Sequence, residues 1–316
     1  MNGAVVAHWD DAETFRADLG HLGGTWRDLG RAAGSRAVGL KRIEVHPGKW
    51  STPAHVHGAE EEIFYVLGGS GLSWQDGDVY EVGPGDCLVH RAGAEAHTLR
   101  AGDEGLDVLV FGQRIRVEFA PLPRAGVGWL GRRWADLGDP GRTPWAREAE
   151  AGEPDVGEPK ERPPRIVNEA DVEGEDRGLY KSLGSTAGAE QSGLNLLRLP
   201  AGDEGAPAHC HSVEEEIFVV LEGEGTLELW PSPARGAEGV EREDHPLRAG
   251  HVVSRPAGTG IAHLLRAGDP GLTYLAYGTR DRADIAYYPR SNKIYWRGVG
   301  LIARLEALDY FDGEPS

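Results

Sequence analysis

Cysteine is almost missing from this chain. Of 316 residues only two, Cys87 and Cys210, carry a thiol. They fall at non-equivalent points of an internal repeat, so a disulfide framework is not implied. Basic residues are also scarce, with Lys and Arg numbering 33 against 51 Asp and Glu, a formal net charge of −18. Nucleic acid demands a basic surface, so that class of partner is excluded, and an anionic membrane surface with it. Beyond this the charge speaks to solubility and names no substrate. There is no long apolar run, and the opening MNGAVVAHWDDAETF has no basic segment leading into one. No signal peptide or transmembrane span is expected, and the default location is the cytoplasm. The composition is that of a globular protein, at a length that allows two domains with a core each.

What the chain does contain is one ligand-like pattern written twice. The first copy, PAHVHGAEEEIFYVLGGSG, begins at Pro53, and the second, PAHCHSVEEEIFVVLEGEG, at Pro207. Each places two histidines one residue apart, then a glutamate five residues after the second, at the head of an apolar strand-like run. A further histidine follows downstream, His97 in one copy and His263 in the other. Three imidazoles and one carboxylate suit a first-row transition metal.

The duplication extends well beyond the motif. An offset of 154 residues carries Leu29-Gly30 to Leu183-Gly184, and His55, His57 and Glu62 to His209, His211 and Glu216. After an insertion in the second copy, PSPARGAEGVEREDHP, the offset becomes 166 and aligns Phe111-Gly112 with Tyr277-Gly278. The insertion reads as a surface loop. Residues 1–136 and 166–316 therefore read as two modules. The Pro- and Glu-rich stretch 137–165 between them reads as a linker. Short runs such as GLKRIEV, EIFYVLG and DVLVFG, separated by Gly, Pro and Asp, predict an all-β barrel or sandwich. Helix is expected only near DAETFRADL and in the tails after Phe111 and Tyr277.

Residues two apart on a strand share a face, so His55 and His57 point together, as do His209 and His211. A turn then returns a glutamate to the same pocket. Glu60, Glu61 and Glu62 run together, as do Glu214, Glu215 and Glu216. Glu62 and Glu216 are preferred because they precede the apolar run and lie seven residues before Gly69 and Gly223. The other carboxylates read as solvated turns. Four protein ligands leave one or two positions open on an octahedral metal, the mark of a reactive rather than a closed site. Phe64, Val66, Phe218 and Val220 share the glutamate's face and read equally as pocket lining or barrel core. Cys210 faces away by strand parity and reads as an inert thiol. His90 reads as a surface-turn histidine in preference to a proton shuttle. His8, His21, His46, His245 and His251 read as surface residues.

These motifs resemble those of the cupins, and the chain resembles a bicupin. From His55 to Gly69 and from His209 to Gly223 the match to the first cupin motif is complete, with Gly48 and Gly202 set slightly further back than usual. The second motif is present as Gly250, Pro256-Ala257-Gly258 and His263, with a longer loop before the histidine. The first copy departs further, with His90-Arg91-Ala92 aligned to Pro-Ala-Gly, though His97 is kept. Neither copy has the closing Asn. The resemblance implies two tandem double-stranded β-helix (jelly-roll) barrels.

It also implies a metal set of His55, His57, Glu62 and His97 in one barrel, and of His209, His211, Glu216 and His263 in the other. Up to two divalent transition ions (Fe, Mn, Ni, Zn or Cu) would be held per chain. The expected function is a metalloenzyme of dioxygenase, decarboxylase or isomerase type acting on a small organic molecule, with Glu62 or Glu216 as base. The alternative is a non-catalytic small-molecule binder or sensor in which metal is structural or a ligand anchor. A storage-type bicupin needs no metal ligands and fits least. Duplicated modules often pack as a pseudo-two-fold pair, so an intramolecular pseudo-dimer is expected, with a homodimer a further option. The tails are expected to wrap the partner barrel.

Overall fold

A computed structural model describes residues 6–115, 117–130, 133–136, 143–175, 179–306, 308 and 312–313. The first part of the chain runs β1 (Val6–His8), β2 (Thr14–Leu19), β3 (Leu22–Asp28), α1 (Leu29–Ala32), β4 (Val38–Val45), β5 (Glu62–Gln75), β6 (Asp78–Val82), β7 (Asp86–His90) and β8 (His97–Gln113). A small sheet of β9 (Phe119–Leu122), β10 (Val127–Leu130) and β11 (Arg133–Asp136) follows, then α2 (Pro144–Ala151). The second part runs β12 (Ile166–Asn168), β13 (Tyr180–Lys181), α3 (Leu183–Thr186), β14 (Ser192–Leu199), β15 (Cys210–His211), β16 (Glu216–Pro231), α4 (Pro233–Ala237), β17 (Glu243–Arg248), β18 (His251–Arg255) and β19 (Ile261–Thr279). It ends with β20 (Ile285–Tyr288), β21 (Lys293–Trp296) and β22 (Leu301–Arg304). No described helix is long and apolar enough to cross a membrane.

The strands form two all-β barrels of the same order. One sheet reads β12-β7-β5-β8-β4-β3-β2, with β6 also on β5. The other reads β1-β18-β16-β19-β14-β13, with β17 also on β16. The outermost strands are exchanged. Val6 at the chain's start pairs with Val253 in the second barrel, and Ile166 at the repeat's start pairs with Leu88 in the first. Each barrel's open edge is thus covered by a strand that precedes the other, which removes unpaired backbone groups from solvent.

Strand alternation sorts the core into three parts. On β5, Phe64 and Val66 point into the first barrel beside Ile43, Leu99 and Val108. Ile63 and Tyr65 point outward and meet Ile217 and Val219 of the second barrel in one shared cluster. Its centre is a stack of Phe111 on Tyr277, equivalent residues with ring centroids 5.2 Å apart. Phe218, Val220 and Leu265 fill the second barrel's interior. The glycine that closes each motif has a steric reason. Gly69 and Gly223 have φ of +80° and +81°. A Cβ there would stand 2.2 Å and 2.1 Å from the carbonyl oxygens of Gly105 and Gly271.

Several sequence expectations are corrected. The helix expected near DAETFRADL is β2, paired with β3 across the Gly20 turn, with Phe15 opposite Trp26. The tails form strands. They dock on their own barrel's ligand loop instead of wrapping the other one. Val56 and Gly58 N–H donate to Pro121 and Phe119 carbonyls, and Cys210 pairs with Tyr287. Of the stretch read as a linker, residues 137–142 lie outside the described residues. The rest packs on the first barrel. Thr143 caps α2, Trp145 meets Trp26 edge-on at 5.4 Å, and buried Glu148 takes a 2.7 Å hydrogen bond from Arg124. His21, expected at the surface, is buried with Nε2 3.6 Å from Glu148, and burial lowers its pKa. The second copy's insertion holds α4 and the start of β17, and its side chains are largely exposed.

Candidate metal centres

In each barrel three histidines and one glutamate meet inside the mouth. His97 and His263 begin or nearly begin the long strands β8 and β19. Their backbones bridge those of His55 and His209. The HxH segments are loop rather than full strand in the first barrel, and only Cys210-His211 is extended in the second. Even so, both histidines of each pair reach the same point. In the first barrel the Nε2 atoms of His55, His57 and His97 stand 3.7, 3.3 and 3.1 Å from Glu62 Oε2. In the second, those of His209, His211 and His263 stand 3.6, 3.3 and 2.9 Å from Glu216 Oε2. All eight residues singled out from the sequence are therefore brought together, four and four.

The partners of the far ring nitrogens set the tautomers. His55 Nδ1 lies 2.9 Å from the Pro53 carbonyl and His209 Nδ1 2.7 Å from the Pro207 carbonyl. A carbonyl only accepts, so Nδ1 carries the hydrogen and Nε2 turns a bare lone pair inward. His57 Nε2, His211 Nε2, His263 Nε2 and Glu216 Oε2 are buried without a hydrogen-bond partner. Convergent lone pairs on a carboxylate oxygen in a buried site are the donor set of a cation, and the side chains fit one. In the metal-free protein a proton partly fills that role. Burial lowers the pKa of His57, but Glu62, helped by Glu60 and Glu118, outweighs it and raises it to about 9. His211 is raised to about 10, with burial opposed by Glu216 and Asp284. His97 and His263, more deeply buried, are lowered to about 3. Burial would raise the Glu62 and Glu216 carboxyls, yet the facing histidines hold both well below the usual range.

A second layer of carboxylates was not legible as such. His211 Nδ1 donates to Asp284 Oδ2 at 2.7 Å. The equivalent His57 Nδ1 has Glu118 Oε1 at 3.5 Å and Glu60 Oε2 at 3.6 Å. Glu118 and Asp284 are related by the 166-residue offset, a signal the repeat already contained. Asp284 fixes the ring of His211 through this bond, whereas Glu118 stands beside His57 Nδ1 without a hydrogen bond to it and accepts from Gly58 N and Ala59 N. The reading of the other glutamates as solvated turns is overturned. Glu61, Glu214 and Glu215 are buried. Glu61 accepts from Glu190 N, Gln191 N, Ser192 N and Ser192 Oγ of the second module. Glu215 accepts from Ser35 Oγ, Arg36 N and Ala37 N of the first. The middle glutamate of each triplet is a clamp across the module interface. Burial raises Glu60 to about 8 and Glu214 to about 7.

The copies differ at a place one residue away from where the sequence alignment put it. Glu62 pairs with His90, and Glu216 with Arg255. Gly93 N–H donates to His57 O, as Gly258 N–H does to His211 O. Arg91-Ala92-Gly93 therefore stands where Pro256-Ala257-Gly258 does, and His90 corresponds to Arg255. His90 is not a surface residue. It is buried, stacks flat on His97 with centroids 3.8 Å apart, and has Nδ1 3.2 Å from Glu95. Arg255 is also buried, with burial lowering its pKa to about 10, and only Nη2 has a partner, the Ile261 carbonyl at 2.7 Å. Cys210 is half-buried with its pKa raised by burial to about 11, as an inert thiol would be.

Residues 41–112 match the family model of the Cupin domain. Solved oxalate decarboxylases share the two-barrel fold. The Bacillus subtilis protein, whose Mn(II) centres have been characterised, is 17% identical, with 88% of this chain and 78% of that one covered at a TM-score of 0.59. The Lactobacillus farciminis oxalate decarboxylase, a formate complex, is 16% identical over 87% and 86%, at a TM-score of 0.59. The whole chain has the tandem two-barrel fold of these neighbours. No curated protein sequence matches this chain. The structural likeness establishes the fold; the chemistry has to be argued from the site.

Proposed function

We propose that this chain is a bicupin metalloenzyme acting on a small organic molecule, with one divalent transition ion held in each barrel. The ligands are His55, His57, Glu62 and His97 in the first site, and His209, His211, Glu216 and His263 in the second. The observation that carries this reading is the convergence of three Nε2 atoms on one carboxylate oxygen, repeated in both barrels. Manganese is the ion named for the Bacillus subtilis neighbour, and imidazole with carboxylate suits it along with iron, nickel, zinc and copper.

When bound, such an ion supplies Lewis acidity at its open positions, or electron transfer if it is redox-active. The protein's own contributions follow from the geometry. Asp284 holds His211 in register through Nδ1, and Glu118 and Glu60 face His57 Nδ1 as charges at 3.5 and 3.6 Å. Glu62 and Glu216 are the candidate bases, each taking a substrate proton on a carboxylate oxygen only once that oxygen is released from the ion. Phe64 and Phe218 meet the rings of His97 and His263 on the barrel side. The first site opens into a mouth of about 1040 Å³, where Lys41, Arg36 and Arg114 face Glu60, Glu62 and Glu118. Decarboxylation, dioxygenation and isomerisation all use these parts, and the fold of the neighbours makes decarboxylation of a small carboxylate the first assay to run.

Elemental analysis of the purified protein tests the metal reading. Two ions per chain are expected, falling to one in His57→Ala and to one in His211→Ala. No ion bound in the wild-type protein under metal supplementation would overturn it. Bound metal with ligand-induced thermal stabilisation, and no turnover across carboxylates, catechols and 1,3-diketones, would assign the protein to binding instead of catalysis.

A further inference from the structure

The two barrels present different spaces to their ligand sets. In the first, Ile43, Phe64, Leu99, Val108 and Val110 close on one another, and Trp145 from α2 packs against them. In the second, a cavity of about 170 Å³ opens directly beside His209, Glu216 and His263. Its walls are Leu197, Phe218, Leu265 and Tyr274, all buried. Two replacements make the room. Phe64 pairs across the ladder with Val110, whereas the equivalent Phe218 pairs with Ala276. Lys41, opposite Val110, becomes Asn195 opposite Ala276. Asn195 lines the cavity, and its Oδ1 is buried with no hydrogen-bond partner.

From this geometry we infer that the second barrel takes a compact single-ring ligand. Its apolar body lies between Phe218 and Tyr274, an oxygen donor faces the histidine–glutamate set, and an N–H or O–H group meets Asn195. The inference rests on the metal-centre reading for the oxygen donor and on the cavity alone for the ring. The size argument is direct: an apolar cavity of about 150 Å³ accepts benzene. One ring leaves slack in about 170 Å³, whereas two fused rings with their substituents use all of it and press on a wall. The electrostatic argument points the same way. The first mouth offers Lys41 to an anionic body, and the second replaces it with a neutral carboxamide between apolar walls.

Fluorine NMR on the metal-loaded full chain tests this with three probes: fluorobenzene, 4-fluorophenol and 6-fluoro-2-naphthol. Fluorobenzene and 4-fluorophenol are expected to bind one site per chain, with the naphthol at least about tenfold weaker. Ala276→Leu fills the cavity and is expected to abolish ring binding with metal content unchanged. Should that variant fail to fold, Asn195→Lys restores the first barrel's residue at a half-buried position and is expected to weaken ring binding by at least about tenfold. Equal binding of one and two rings, or ring binding unchanged in both variants, would overturn the inference. Fluorobenzene binding to protein that takes up no metal under supplementation would defeat the metal-centre reading and leave the cavity reading standing. Bound metal with no ring binding would do the reverse.

Discussion

Removing one clamp glutamate is expected to loosen the whole molecule, because each clamp ties one module to the other. Glu215 lies 2.7 Å from Ser35 Oγ and 2.8 Å from Arg36 N, also accepts from Ala37 N, and takes Ser254 Oγ at 3.1 Å. Glu215→Ala leaves two backbone N–H groups and the Ser254 hydroxyl without this acceptor, while Ser35 Oγ keeps its bond to the Val38 carbonyl. Each such bond to a charged group is worth about 1.5–3 kcal/mol. Part of the loss is recovered where water reaches the amides of the exposed Arg36 and Ala37, so the expected net cost is about 4 kcal/mol. At about 2–4 °C per kcal/mol for a barrel of this size, the midpoint falls by about 8–16 °C. Glu61→Ala should behave alike, since Glu61 accepts from the equivalent segment of the second module. Differential scanning calorimetry reads both. In the double variant the barrels should also uncouple, so that one transition becomes two. A loss below about 1 kcal/mol in both single variants would refute the clamp as a stabilising contact.

Further outcomes are expected. Asp284→Asn should weaken metal at the second site by about 10–100-fold, because its one acceptor oxygen stays with the Val213 and Glu214 N–H groups and an NH2 group then faces His211 Nδ1. Glu118→Gln should do less at the first, where the contact is 3.5 Å and shared with Glu60; site-resolved metal titration distinguishes them. His57 and His211 carry raised pKa values of about 9 and 10, so below those values a proton competes with the ion. Metal affinity should therefore rise with pH from neutrality towards that range, with proton release on binding, as calorimetry in buffers of different ionisation enthalpy will measure. The stability that these two charged histidines give the metal-free protein is fully present below pH 6.5 and should be lost as pH rises through about 9 to 10. Gly69→Ala and Gly223→Ala force a Cβ into a carbonyl at positive φ, and each should cost at least about 2 kcal/mol in chemical denaturation.

The amino-acid order by itself determined the two-fold repeat, the β class, and the eight residues that meet as two ligand sets. Those features are local. The HxH pair, the glutamate seven residues before an obligatory glycine, and the alternation of Phe64 and Val66 with Ile63 and Tyr65 all follow from short-range spacing. Contacts between distant segments were beyond its reach. Glu61 and Glu215 look like turn carboxylates until the interface brings Ser192 and Ser35 to them. His90 looks like a loop residue until β7 sets it beside Glu62 and flat on His97. The exchange of β1 and β12, and the packing of α2 on Trp26, depend on which barrel edge is left open. The cavity of the second barrel needs the cross-ladder pairing of Phe218 with Ala276. Periodicity tells which side chains face inward, and only the assembled sheet tells how much room they leave.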